Sequence, residues 1–254
     1  MKALKTILKI LGALVGILIL AGASIFLYYN ESMPENTEGA EAEALADKML
    51  AAINKTAWDT TAVIQWQFRG PHDYIWDKDR HVTQVKWDDY EVYVDLKTVK
   101  GVAFKGGQKV EGAEGDALVQ QAWEFWCNDS FWLNAPAKCK DGGTVRSVVD
   151  LEDGKKGLMV SYKGGGATPG DSYLWILDDE GKPTSYKMWV SIIPIGGVEA
   201  TWSDWTTTET GAKIAQSHNL DLGLTALDIP ISNVKTAASW ETFGLEKDIF
   251  EVLK

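Results

Sequence analysis

Two histidines and three aspartates crowd one short stretch, His72, Asp73, Asp77, Asp79 and His81. These are residue types that ligate metals or move protons near neutral pH. A carboxylate beside an imidazole would orient it as a general base, and His81 with Asp77 is the pair to name for that work. No HExxH helix and no CxxC pair accompany them, and charged residues at a hairpin tip are ordinary. The sequence therefore assigns no catalytic residue, no metal ligand and no cofactor. A GxSxG elbow is missing too, which argues against the familiar serine hydrolases.

The glycine-rich run Gly164–Gly170 has the four-residue spacing of a phosphate loop between Gly165 and Gly170, but Asp171 stands where the lysine must be and would repel phosphate. A wide turn is expected instead. Asn128, Asp129, Asn134 and Lys138 surround Phe131-Trp132-Leu133, a polar and aromatic mixture expected on a loop, either as a functional surface or as a helix stop with Trp132 plugging a barrel mouth. Twelve tryptophans are the strongest compositional signal. Indoles can line an apolar cavity, stack on sugars or fill a core. Trp66, Trp76, Trp132, Trp175, Trp189 and Trp202 are the expected ligand-binding set.

The elements that must position these residues are mostly strands. Ser172–Leu177, Thr184–Ile193 and Val198–Trp205 form an expected meander, with Gly181 taking the left-handed position of the first hairpin. The first strand is apolar on both faces, so each face needs a cover. Further strands are predicted at Thr61–Arg69, His72–Trp76, Val82–Trp87, Glu91–Leu96, Gly101–Phe104, Thr144–Leu151, Gly157–Lys163 and Ala212–His218. Helices are predicted at Glu41–Asn54, where Leu45, Met49, Ala52 and Ile53 form an apolar stripe, and at Asp116–Cys127, ended by Asn128-Asp129-Ser130. Leu224–Val234 could be a last strand and Leu245–Leu253 a terminal helix.

Ile10–Tyr29 carries no charge, and at about 1.5 Å per residue it would cross the roughly 30 Å of a bilayer's hydrocarbon as a helix. Lys2, Lys5 and Lys9 precede it and acidic residues follow, which predicts a cytoplasmic N-terminus and an exported remainder. Cleavage after Ala21-Gly22-Ala23 is the rival, opposed by the apolar run continuing to Tyr29. Ala23 occupies the place of a lipidated cysteine, so lipidation there is excluded. The expected organisation is a cytoplasmic tip and transmembrane anchor over 1–30, a linker over 31–39 and an extracytoplasmic β-rich domain over 40–254, in the periplasm or outside the cell. A net charge of −11 makes nucleic acid a poor partner. Cys127 and Cys139 lie in the exported part at a spacing that permits a disulfide or two free thiols.

The order of elements (membrane signal, helix, long meander, mid-chain helix, closing hairpins) resembles the Lol-type lipoprotein carriers over most of Glu41–Ser217. That resemblance implies a half-open β-barrel holding an apolar cavity under a helix, and an acyl chain or similar ligand. NDSFWLNAPAKCKDGGTVR at Asn128–Arg146 and the YKGGGATPGDSYLW to GGVEATW block also resemble an uncharacterised family of bacterial exported proteins. The expected fold is thus mainly β with α, an antiparallel meander curved into a half-open barrel with covering helices, preceded by one transmembrane helix. The expected function is a membrane-anchored extracytoplasmic binding protein for a lipid-like or other apolar ligand. An envelope enzyme acting on glycan or lipid through carboxylates and a histidine, and a ligand-free interaction domain, are the alternatives.

Overall fold

The computed structural model describes residues 2–164 and 170–254; part of the side chains of the first helix lie outside that description. The phosphate-loop spacing noted above falls largely on positions 165–169, also outside the described residues. The chain begins with helix α1 (Lys2–Tyr29), strand β1 (Thr37–Glu38), α2 (Ala40–Ala52) and α3 (Lys55–Thr60). A six-strand meander follows: β2 (Val63–Phe68), β3 (His72–Asp77), β4 (Val82–Trp87), β5 (Tyr90–Asp95), β6 (Lys100–Lys105) and β7 (Gln108–Val110). Helix α4 (Gly112–Asn134) and a 3-10 turn (Ala135–Lys138) lead to β8 (Thr144–Asp150), β9 (Lys156–Tyr162), β10 (Ser172–Leu177), β11 (Pro183–Trp189), β12 (Val198–Thr201), β13 (Ser203–Thr207), β14 (Lys213–Asp221) and β15 (Ala226–Ala237). A short α5 (Trp240–Phe243) and a 3-10 turn (Ile249–Leu253) close the chain.

All pairings are antiparallel, and the strands form one sheet in the order β1-β8-β9-β10-β11-β12-β14-β15-β2-β3-β4-β5-β6-β7, with β13 beside β14. The long β15 joins the two halves. It pairs with β14 through Ala226–Pro230 and with β2 through Ile231–Ala237, bulging between Ser232 and Lys235. The terminal strands β1 and β7 do not meet, so the sheet is open.

It is also strongly curved. Gly115 lies against the Val110 carbonyl at the end of β7, and the Phe131 ring sits 4.8 Å from Tyr173 on β10. Those strands are ten steps apart in the sheet, about 48 Å if it were flat. The helix between them rises only about 24 Å. The sheet therefore wraps around α4, as a trough with a helix laid in it.

Period-2 alternation decides what lies on the inner face. Ile64, Trp66 and Phe68 on β2, Tyr74 on β3, Val85 and Trp87 on β4, and Val92 and Val94 on β5 are buried in one large cluster with Leu118, Val119 and Ala122 of α4. Tyr173 and Trp175 of β10 join them, as do Tyr186 and Met188 of β11. Helix α2 packs on β8 and β9 and buries Ala42, Ala46 and Met49, a stripe shifted from the expected one so that Leu45 is only partly covered. The β10–β11 turn has Gly181 at φ 89° as anticipated, and a Cβ there would stand 2.6 Å from Lys48 Cγ of α2.

The outer face has small covers of its own. Leu174, Val149 and Met159 form one cluster with Trp189 and Leu151 at its edge. Ala62, Val63, Ala237 and Phe243 form another with Ile75 and Trp240. Lys235 donates to the Phe243 carbonyl at 2.7 Å. The second cover over the apolar first strand of the central meander is thus neither a sheet nor a helix. The expected linker supplies part of it instead: Trp189 donates to the Glu31 carbonyl at 2.8 Å and Lys187 binds the Glu31 carboxylate at 2.7 Å. Among the described residues no helix is long and apolar enough to cross a membrane.

Candidate functional site

The strongest departure from expectation creates the most polar part of the site. Asn128-Asp129-Ser130 does not end α4; the helix continues to Asn134. Asp129 and the aromatic residues after it therefore lie on the inward helix face, where a loop was expected. Asp129 is buried against the β2–β3 hairpin. His72 Nδ1 donates to Asp129 Oδ2 at 2.7 Å, Tyr74 Oη donates to the same oxygen at 2.5 Å, and Asn128 Nδ2 donates to Oδ1 at 2.8 Å. The His72 ring stacks on Phe125 at 4.3 Å. Burial and the neighbouring carboxylate push the Tyr74 hydroxyl well above the usual tyrosine range, so it stays protonated as the donor.

His72 is the only member of the His/Asp cluster on the inner face. Asp73 points to the opposite side of β3, and His81 sits exposed in a turn at φ 57°. Asp77 accepts from the backbone of Arg80 at 2.8 Å and from its guanidinium at 2.7 Å. Arg80 also binds Asp248 at 2.6 Å and lies 4.7 Å from the Trp240 ring. The His81 and Asp77 pair is therefore not a couple: Asp77 fastens the C-terminal segment to the hairpin. Among the described residues no three His, Cys, Asp or Glu side chains converge on a point. Cys127 and Cys139 are both free thiols. Burial pushes them up to about 11 and about 12, which leaves them unreactive near neutral pH.

Of the expected tryptophan set, five line the inner face. Trp66 stacks on Tyr74 at 4.4 Å, Trp76 meets Trp126 edge-on at 5.1 Å, and Trp175 meets Trp202 at 5.2 Å. Trp132 lies 5.8 Å from Tyr186 and 5.4 Å from His218. Trp189 is the exception. It pairs with Ser172 across β10–β11 while Tyr186 and Met188 face inward, so the pleat turns it to the outer face beside Leu174. Trp202 falls between β12 and β13, where the expected single strand breaks and turns the indole inward.

His218 was not anticipated. Its Nδ1 donates to the Thr201 carbonyl at 3.2 Å and its ring touches Trp202 at 4.3 Å; burial lowers its pKa to about 4 in spite of the opposing hydrogen bonds to the Thr201 and Trp132 backbone. The Trp132 backbone lies close enough to the ring to oppose the effect of burial, but in the neutral ring Nε2 makes no hydrogen bond of good geometry. Neither do the indole N–H groups of Trp66, Trp76, Trp126, Trp175 and Trp202, the Tyr162 hydroxyl, or either end of the Asn134 amide. Only β14's alternation could have flagged His218.

The trough itself is packed. Trp66, Tyr74, Trp175, Tyr186 and Trp202 are at most 2% exposed. The open aromatic interior expected around Trp175, Trp189 and Trp202 is filled, because α4 runs on past the expected Cys127 to Asn134 and delivers Phe131, Trp132 and Leu133 into it, and Trp189 faces the other way. Open depressions of about 310 Å³ beside Pro71, Asp73 and Tyr90, and about 320 Å³ beside Val82, Val102 and Leu253, lie elsewhere.

Neither a protein-family profile nor a curated protein sequence matches the chain. Two solved structures share part of the layout. A DUF1329 family protein from Desulfovibrio piger is 11% identical, with a TM-score of 0.42 over 77% of this chain and 92% of that one. A domain described as outer membrane lipoprotein-sorting, from Vibrio parahaemolyticus, is 8% identical, with a TM-score of 0.34 over 78% and 97%. Superpositions this loose carry no functional inference, and function has to be argued from the site.

Proposed function

We propose that the chain is a membrane-anchored, extracytoplasmic binding module for a lipid-like molecule, which enters the trough by displacing the end of α4 beyond Asp129, residues 130–134. The observation that carries this is the set of buried polar atoms left without partners where α4 meets the sheet. Each such atom costs about 1–3 kcal/mol in a dry interior. Asn134, Trp175, Trp202, Tyr162 and His218 together offer donors and an acceptor among aromatic rings, a match for an acyl chain with ester, carboxyl or hydroxyl groups at one end. Trp66, Trp76 and Trp132 would line the rest of the path, and Trp189 takes no part. The anchor rests on the uncharged run Ile10–Tyr29 with lysines on one side only. It puts the N-terminus in the cytoplasm and the trough outside.

Organic extraction of the purified full-length protein, followed by mass spectrometry, tests the proposal. A stoichiometric acyl-bearing species, lost from Trp175→Ala and retained by Trp240→Ala on the outer face, is expected. An extract with no lipid-like species above that of an unrelated anchored protein would reject it.

A second reading, an envelope enzyme working through a carboxylate and a histidine, has one observation in its favour. Asp129 holds the imidazole of His72 by Nδ1, which leaves Nε2 as a base. The same network is complete as a structural clamp, since each member has a partner. Screening of envelope glycans and lipids with wild type and His72→Gln separates the two.

A further inference from the structure

The C-terminal end of α1 does not hang free of the domain. The Asn30 side chain accepts from the Gly196 amide at 2.9 Å, and the Glu31 amide donates to the Gly196 carbonyl at 2.9 Å. The Tyr29 ring lies where a side chain at Gly223 would begin, its Cδ1 2.5 Å from that Cβ position. Two loops are thereby fixed beside the last turn of α1: Val190–Gly197 between β11 and β12, and Leu222–Thr225 between β14 and β15.

Both loops carry apolar side chains into solvent at this end. Ile192 is 72% exposed and Leu224 70%, and beyond α1 these are the two most exposed large apolar side chains among the described residues. Leu222, at 37%, accompanies them, and Leu27 and Tyr28 on the helix are 79% and 82% exposed. A turn needs no isoleucine or leucine at its tip, and apolar groups gathered at one end of a soluble domain mark a surface that meets something apolar. Tyr28 and Tyr29 are the residues that favour the boundary between hydrocarbon and water.

We infer that the loop tips around Ile192 and Leu222–Leu224 insert into the outer boundary of the same bilayer that holds α1. This rests on the anchor proposed above. The occupant is a lipid surface because the uncharged segment ends between the two loops and hands both of them to the membrane plane. Charge offers no attraction to an anionic headgroup here: Lys187 is paired with Glu31, and Asp221 remains a carboxylate that accepts from the Gly223 amide at 2.7 Å. Neutral lipid should therefore suffice, and the contact should not depend on salt. The docking also orients the trough. His218 precedes Leu222 by four residues, roughly 13 Å of strand, so the end of the trough with the unpartnered polar atoms faces the membrane and is the natural entry for a lipid.

The test uses the full chain in phosphatidylcholine vesicles, with Cys127 and Cys139 replaced by alanine and a nitroxide placed in turn at Ile192→Cys, Leu224→Cys, Leu14→Cys and Lys109→Cys. Collision with oxygen and with a water-soluble nickel complex reports depth. Oxygen should dominate at 14, 192 and 224, and nickel at 109. Lipid contact at 14 with water contact at 192 and 224 would overturn the inference while leaving the anchor intact. Shielding of 192 and 224 from both reagents would overturn it in favour of a protein partner or second copy. Water contact at 14 would reject the anchor; the loops stand on their own only if 192 and 224 still report lipid.

Discussion

In the N-terminal half of the trough the buried carboxylate of Asp129 is met by three donors, from His72, Tyr74 and Asn128. In the C-terminal half the Asn134 amide, the Trp175 and Trp202 indoles and His218 Nε2 are met by none, and beside the carboxylate, among the described residues, only the indoles of Trp66, Trp76 and Trp126 share this lack. The same helix supplies both Asp129 and Asn134, less than two turns apart. A carboxylate that could find no partner would not stay buried, so the first contact fastens α4 to β3. An amide without partners weakens the packing it belongs to, so on the proposed reading the second is where α4 leaves the sheet. The difference separates a clamp from a gate within one helix.

Removing the clamp should have the largest effect. Asp129→Ala leaves His72, Tyr74 and Asn128 without their shared acceptor, and loss of one partner from such a buried set typically costs about 3–5 kcal/mol. Urea unfolding should show the midpoint fall sharply; an unchanged midpoint would mean that the network contributes nothing.

Acid should weaken the gate next. His218 has a pKa lowered to about 4 by burial, below the ordinary value of about 6.5. Between those two values the unfolded chain holds a proton that the folded chain does not, so stability is complete above about pH 6.5 and is lost as pH falls through about 4. The loss attributable to this residue is about 3 kcal/mol. His218→Gln, which has no such proton to take up, should unfold with a flatter pH profile over that window than wild type. Parallel profiles would show the imidazole to be hydrated.

At the β10–β11 turn, which joins the gate half to α2, Gly181→Val should cost about 1–3 kcal/mol, because a β-branched residue is strained at positive φ and its Cβ would meet Lys48 of α2. A melting midpoint equal to wild type would show that the turn rebuilds.

The smallest effect is the most telling. Asn134→Leu removes an amide that has no partner, so stability should change by less than about 1 kcal/mol or rise. A loss as large as that of Asp129→Ala would erase the distinction between the halves.

Much of the framework could be read from the residues. Strand β10 occupies the expected Ser172–Leu177 and β4 the expected Val82–Trp87, because strict alternation between turn residues leaves one register. The tail was only half legible: Gly244 in the left-handed conformation stops α5 at Phe243, and the last turn is 3-10. The site was less legible still. Asn128-Asp129-Ser130 has the composition of a helix stop, and what overrides that propensity is a partner 57 residues away at His72. A local pattern cannot show it. Likewise Trp189 and Trp175 are alike in the sequence, and only the pleat of β11 sends one outward.

Quenching by a fatty acid brominated along its chain tests the account most directly. Residues 30–254, which keep both α4 and the whole sheet, would be titrated while tryptophan emission is followed. Saturable quenching is predicted, weakened by Trp175→Ala, unchanged by Trp240→Ala, and accompanied by faster amide exchange across residues 130–134, beyond the clamp. Unsaturable quenching, or saturation without any change in exchange along α4, would contradict a trough that opens to admit its ligand.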